Sequence, residues 1–441
     1  MKSVFQIKNK ILTLLFFTLG LMASASHANL VIEISEGYEN ALPIAVIPFQ
    51  VDGSTSVPED VSAIVSHNLL RSGRFSPLDK NALPSRPAQV DDIVFDQWRS
   101  KDVDHLIMGN VTPRPNGLYD VEMRLVDVLR RKQVIGKRWR DVPRQQLRQV
   151  AHQISDEIYL ELTGIPGAFN TRLAYVTMKV RGDERHYTLE VSDSDGHNPQ
   201  PLLRSKMPIM SPSWSPDGRK LAYVSFETGR SNVVVQNLDG SNREVLADFS
   251  GINSAPAWSP DGKSLAMTLS KDGNADIFIM NLQTKYLRKI TRHWAIETEA
   301  AWSVDGKSLY FNSDRRGQPQ VFKMELDSGN VTRISFQGNY NANPETSPNG
   351  RYLAMVHSNN GFNVGLLDLY TNEFNVITDA FLGESPSFAP NSDMIVYAMN
   401  RNNKGQLAVV SVDGRASQIL SVEDGQVREP AWGPYRVQPN K

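Results

Sequence analysis

One pattern restricts the fold more than any other: tryptophans at 214, 258 and 302 stand 44 residues apart. Continuing the count reaches Thr346, then Phe388 after 42 residues and Trp432 after another 44. Each of the first five anchors leads into a turn ("SPDG", "SPDG", "SVDG", "SPNG", "APNS") and then an apolar run ("LAYV", "LAMT", "LYFN", "LAMV", "IVYA"). Pro216 and Pro260 suit the second position of a type I turn, and Asp217 and Asp261 the third. Gly218, Gly262, Gly306 and Gly350 supply the positive φ that rejoins the strand. Ser392 replaces glycine in the fifth unit, where a looser turn is expected. Two more β-prone stretches complete each unit, such as "SNVVVQNLDG" and "NREVLAD". Four short strands every 42–44 residues is the period of a β-propeller blade.

The last unit, "EPAWGPYRVQPNK", stops nine residues after Trp432. Just ahead of the first full unit stands "NTRLAYVTMKV" (170–180), in which "RLAYVTM" repeats "KLAYVSF". The opening strands lack an innermost strand, and the closing unit holds only that strand. Joining them makes a sixth, composite blade from both ends of the repeat region and closes the ring, so that no terminal blade is left to splay. An open solenoid would carry polar caps at its ends instead of complementary halves.

The expected organisation is a leader (1–28), an α/β domain (29–165) and an all-β six-bladed propeller (166–441). In the leader, Lys2, Lys8 and Lys10 precede the 13-residue apolar run "ILTLLFFTLGLMA", with small-residue cleavage sites ending at Ala28 or, in competition, Ala25. That is the pattern of a cleavable export signal, and the absence of cysteine argues against a lipid anchor there. The mature chain is expected to be soluble and, without thiols, to rely on core area and sheet pairing. In the α/β domain, "LPIAVIPFQV" reads as a buried strand. A helix follows, started by a Ser56–Glu59 capping box with Pro58 and ended by Gly73. A hairpin over 117–142 precedes a second helix with Leu147, Val150, Ile154, Ile158 and Leu162 on one face.

Chemistry is sparse. No nucleophile elbow, dinucleotide fingerprint or phosphate loop occurs, and the histidines show no paired ligand spacing, so no cofactor, catalytic residue or metal is expected. The leader holds three lysines and no acid, which leaves 44 basic against 48 acidic residues in the mature chain and argues against a nucleic-acid binder. A basic stretch from Arg130 to Arg148 reads as a solvated hairpin and helix face. What remains is geometry. The residues just before each anchor should ring the mouth of the propeller channel: Met210 and Ser211, Ser254 and Ala255, Thr298 and Glu299, Ala342 and Asn343, Glu384 and Ser385, Arg428 and Glu429. Such a rim suits insertion of a partner's loop or peptide. The other class left open is a propeller hydrolase or lyase working on an envelope glycan or peptide from the channel.

The leader, the α/β domain, the six blades and stretches such as "PIAVIPF", "PEDVSAIVSHNLLRSGRFSPLD", "SDEIYLELTGIPGAFNTRLAYV" and "DGQVREPAW" together resemble the TolB family of the Tol–Pal system. The resemblance implies a non-enzymatic periplasmic protein that supports outer-membrane invagination at division and envelope integrity. It implies two partners: the lipoprotein Pal at the channel rim, a site that some colicins exploit, and TolA at the mature N-terminus. The implied TolA segment is "NLVIEISEG" (29–37), with Asn29, Leu30, Val31, Ile32, Glu33 and Ile34 as its contacts. The implied Pal contacts are Thr298 and Glu299, a second loop with Ile252 and Ala255, and the remaining rim positions Met210, Ser211, Asn343, Glu384 and Glu429. On physical grounds "LVIEI" is β-prone and can add as an edge strand to a partner or fold back on its own domain. Glu299→Lys is expected to weaken Pal binding without lowering thermal stability.

Overall fold

A computed structural model describes residues 32–34 (backbone only), 41–52, 57–359, 361–379, 383–420 and 425–436. The expected leader, most of the N-terminal segment and Ser56 lie outside the described residues. In the α/β part, strand β2 (Leu42–Val46) is parallel to β4 (Phe75–Pro77) and β5 (His105–Pro113), and β5, β6 (Tyr119–Asp127) and β7 (Lys132–Val142) form an antiparallel meander. The expected single strand over 42–51 is two, β2 and β3 (Gln50–Val51). Pro48, between them, has no N–H to give a ladder. Helix α1 (Val61–Arg71) starts later than the expected capping box: Asp60 is its cap and accepts from the Ala63 amide at 3.0 Å. Helix α3 (Leu147–Thr163) ends at Gly164 with φ 73°. Alternation along the central strands serves two layers. Ile44, Val46 and Ile107 pack with α1 and α3, while Ala45, Ile47, Leu106 and Met108 pack around Trp98 of α2 (Phe95–Arg99).

The repeat forms six blades around one channel. Five have consecutive strands. The sixth joins Gln426–Trp432, innermost, to Arg172–Arg181, with Trp432 opposite Leu173, and continues through Glu184–Asp193 to Gln200–Ser205. Four of the six anchors do a job that their spacing alone did not reveal: they staple their blade to the one before. The indole N–H of Trp214 donates to the Ala431 carbonyl (3.0 Å), Trp258 to Ser213 (3.2 Å) and Trp302 to Ala257 (3.0 Å). Thr346, where the indole is missing, makes the same link with its hydroxyl to the Trp302 carbonyl at 2.7 Å. Trp258→Phe keeps most of the packing and leaves the Ser213 carbonyl unpaired, so thermal melting should show a loss of about 1–2 kcal/mol. An unchanged melting curve would remove the staple from the account.

The turn acids are architecture. The Ser215 hydroxyl donates to Asp217 at 2.6 Å, Asp217 accepts from the Arg219 amide at 3.0 Å, and the Gly218 amide closes on the Ser215 carbonyl at 2.8 Å. The same set recurs at Ser259–Asp261 and Ser303–Asp305. The fifth turn is not looser than the rest. Ser392 adopts φ 67°, closes on the Ala389 carbonyl at 2.9 Å, and accepts from the Asn349 amide of the preceding blade at 3.0 Å. Backbone strain there is offset by a bond between blades.

The α/β part packs on the turn side of the ring. Asp393 accepts from the Tyr159 hydroxyl at 2.6 Å and pairs with Arg74 at 3.2 Å. Buried Arg71 donates to the Ser194 carbonyl at 3.0 Å, and Asp195 pairs with Arg148. His152, fully buried, bonds Asn68 at 2.9 Å and lies 3.6 Å from Asp195. Burial holds its pKa down at about 4, against the pull of Asp195 and Asp193 and helped by Arg148 and Arg71. A folded pKa below the unfolded 6.5 means stability is full above that value and falls as pH drops toward 4, by about 3 kcal/mol at the limit. His152→Gln lacks this term. The variant should be the less stable of the two at pH 7.5, and urea titrations at pH 7.5, 6 and 4.5 should show the gap closing as pH falls. A pH-independent gap would contradict the assignment.

Much of the basic stretch is neutralised locally, as expected of a solvated face. Arg131 pairs with Asp96, Lys137 with Glu157, Arg138 with Asp120 and Glu122, and Arg130 with Asp127.

Candidate functional site: channel rim and N-terminal strand

Every innermost strand breaks register at the same place, between residues 210 and 213, 254 and 257, 298 and 301, 342 and 345, 384 and 387, and 428 and 431. At each break one residue is left-handed: Ser211, Ala255, Glu299, Asn343, Ser385 and Glu429, with φ from 49° to 54°. In five of the six the next residue is proline, which cannot donate to the ladder where the ladder is interrupted. A non-glycine residue in this region costs on the order of 1 kcal/mol. Six in one ring form a collar of strained backbone around the channel mouth, at the second residue of each pair expected from the sequence.

The collar is tied from blade to blade. Glu429 accepts from the Ser211 amide at 2.7 Å. Glu299 accepts from the Asn343 amide at 3.0 Å and from the Asn312 side chain, and its own amide donates to the Thr268 hydroxyl at 3.2 Å. Burial in the channel wall raises the pKa of both carboxyls, against these hydrogen bonds. Glu299 is therefore a structural clasp as well as a rim residue. Glu299→Lys strands the Asn343 amide and should cost about 1–3 kcal/mol, which corrects the expectation of unchanged thermal stability.

The channel encloses about 850 Å³. Its described lining holds Met210, the six collar residues and four carboxylates (Glu299, Glu345, Glu384 and Glu429), with no lysine, arginine or histidine. Glu384 is exposed. Sequence reasoning missed Glu345. It occupies the position taken by Ser213, Ala257, Ala301, Ser387 and Ala431 in the other blades, and that departure was the available signal. Burial pushes its carboxyl up to about 7, with only the Ser387 hydroxyl, 3.5 Å away, working against it. Ile252 and Thr298 are not part of the lining. Ile252 is half exposed on the loop before its inner strand, and Thr298 sits beside Glu299, paired with Asn312. Among the described residues no three His, Asp or Glu side chains gather as a metal site.

The N-terminal segment pairs with the propeller rather than with its own domain. Strand β1 (Ile32–Ile34) runs antiparallel to the outer strand Ala416–Leu420 of the fifth consecutive blade, with Glu33 opposite Ser417, as a fifth strand of that sheet. That outer strand has five residues, where three of the others have three. Gly73, just past α1, is left-handed with φ 70° and lies close against Ala416 and Ser411 (a Cβ would stand 3.0 Å from that of Ala416). The docking edge thus sits at the seam between the two parts. Asn29, Leu30 and Val31 lie outside the described residues.

Fold and site together define a closed six-bladed propeller with an acidic channel, a small α/β part against its turn side and a terminal strand on one blade edge. Residues 159–436 match the model of the TolB beta propeller domain, and residues 30–134 that of the TolB amino-terminal domain. The chain belongs to the TolB family. It is 62% identical over 414 residues to the Tol-Pal system protein TolB of Hydrogenovibrio crunogenus, covering 94% of this chain and 96% of that one. It is 53% identical to the protein of the same name from Thioalkalivibrio sulfidiphilus, over 96% and 97% of the two chains. The crystal structure of TolB from Acinetobacter baumannii superposes with a TM-score of 0.84 at 39% identity, covering 92% of this chain and all of that one.

Proposed function

We propose that this Tol–Pal component is a non-enzymatic periplasmic scaffold that binds Pal at the collar-bearing rim and TolA through residues 29–34. It would thereby support outer-membrane invagination at division and envelope integrity. Membership of the TolB family carries the reading. The docked strand supports it: among the described residues, β1 makes three residue pairs with the outer edge of one blade. Each backbone bond there is worth about 1 kcal/mol net, and ordering each residue costs about 1–2 kcal/mol. So weak a seat suits a segment that leaves for a partner.

Glu384 tests the rim cleanly, being exposed and not part of the described clasps. In calorimetric titration with the soluble domain of Pal, Glu384→Lys should lower affinity at least about tenfold while the melting temperature stays put. Unchanged affinity would place the Pal site elsewhere.

A further inference from the structure

Resting on the rim reading, we propose that the surface around the channel mouth is built for a polypeptide that presses apolar side chains onto a ring of loops while directing a cationic side chain into the mouth. Two independent observations carry this. The first is what the blade junctions expose. The loop from one blade's outer strand to the next blade's inner strand emerges on the rim side, and all four described junctions bear large apolar side chains open to solvent. They are Met207, Ile252, Trp294 and Ile296, and Phe336, with Met210 exposed in the inner strand that follows the first junction. Trp294, 76% exposed, is the most exposed large apolar side chain among the described residues. Single surface hydrophobics need no explanation, but recurrence at one topological position on one face does.

The loop that carries Trp294 is also stiff. The Asn274 side chain donates to the carbonyls of His293 (2.9 Å) and Ala295 (2.7 Å). The Ala295 amide donates to His293 Nδ1 at 3.1 Å, and the Ile296 amide to Asp314 at 2.9 Å. The His293 ring lies 5.1 Å from the indole, centroid to centroid. On the next loop, Arg333 sits 5.0 Å over the Phe336 ring and donates to the Ser335 carbonyl at 2.6 Å. These bonds fix the backbone that carries the exposed rings in the free protein, so less entropy is lost when a partner covers them. That is the character of an interface anchor.

The second observation is charge. Of the four glutamates that line the channel, Glu384 is exposed at the mouth while burial raises the pKa of Glu299, Glu345 and Glu429, and no lysine, arginine or histidine stands among the described lining residues. An inserted carboxylate is repelled there and an inserted lysine or arginine is attracted. An anionic lipid surface would meet the same repulsion, which sets the polypeptide above a membrane as the occupant.

Calorimetry with the soluble domain of Pal and the full mature chain reads this out. Trp294→Ala and Ile296→Ala should each weaken binding about tenfold or more with little change in melting temperature, and Trp294→Phe should retain most of the affinity. Wild-type affinity should fall as salt rises, and Glu384→Gln should flatten that dependence. If both alanine variants bind as wild type while Glu384→Lys does not, the rim reading stands and the apolar anchor is wrong. If none of the three alters affinity, the rim reading itself fails and this inference with it. Flotation with anionic vesicles should leave the protein unbound; flotation that depends on Trp294 would overturn the choice of a polypeptide.

Discussion

A chain lacking residues 29–34 is expected to lose TolA binding altogether and to bind Pal as well as before or better. The physical reason is the placement of β1. Among the described residues its backbone pairs cover Ala416, Ser417 and Gln418 on one outer edge and no inner strand of any blade. Removing it exposes that edge and leaves the collar at Ser211, Ala255, Glu299, Asn343, Ser385 and Glu429 untouched. The docked segment and the collar share no residue, so any coupling between them is bounded by the docking free energy of a few backbone pairs. Pal affinity should then move by about tenfold at most, while TolA binding disappears. Paired titrations with the soluble domains of Pal and TolA check this. Loss of both, in a protein that still melts cooperatively, would contradict the separation of the two sites.

A chain ending at residue 425 is expected not to form a stable propeller. Its loss is far larger than a frayed terminus. Val427, Ala431 and Trp432 are buried, and the Trp432 indole bonds the Thr171 hydroxyl at 2.8 Å. The Trp432 amide bonds the Ser387 hydroxyl at 3.0 Å, the Trp214 staple loses its Ala431 acceptor, and the Ser211 amide loses Glu429. Burial of these side chains contributes about 1.5–3 kcal/mol for each large one, and the bonds about 1 kcal/mol each. The sum rivals the whole stability of an ordinary domain. Urea unfolding followed by near-ultraviolet circular dichroism should show no cooperative native transition. A solenoid would lose only its last repeat, so a cooperative transition near the wild-type midpoint would contradict ring closure.

The ring was legible because its constraint is periodic. Anchors 42–44 residues apart, recurring turns and complementary end strands leave few folds, and Trp432 opposite Leu173 is the register they imply. The collar was half legible. Spacing located the pairs, but left-handed backbone at Ser211 or Glu299 has no signature in a residue type that usually avoids it. The seat of the N-terminal strand was not legible at all. "LVIEI" shows that a strand forms, but which edge it takes depends on the seam where Gly73 meets Ala416, a meeting of residues 343 positions apart. The α1 cap was misplaced for a local reason, since Ser56–Glu59 and Asp60 are both competent and the helix starts from the later one.

On the proposed function, residues 29–34 are one segment with two exclusive seats, the blade edge and TolA. The chain has no cysteine, so a single engineered pair is readable without background. Glu33 and Ser417 are register partners, and Glu33→Cys with Ser417→Cys places two thiols across the strand pair. Oxidation should lock the segment on the blade, abolish TolA binding and leave Pal binding intact, and reduction should restore TolA binding in the same sample. If the oxidised protein binds TolA as tightly as the reduced one, the two seats are not exclusive and the account is wrong.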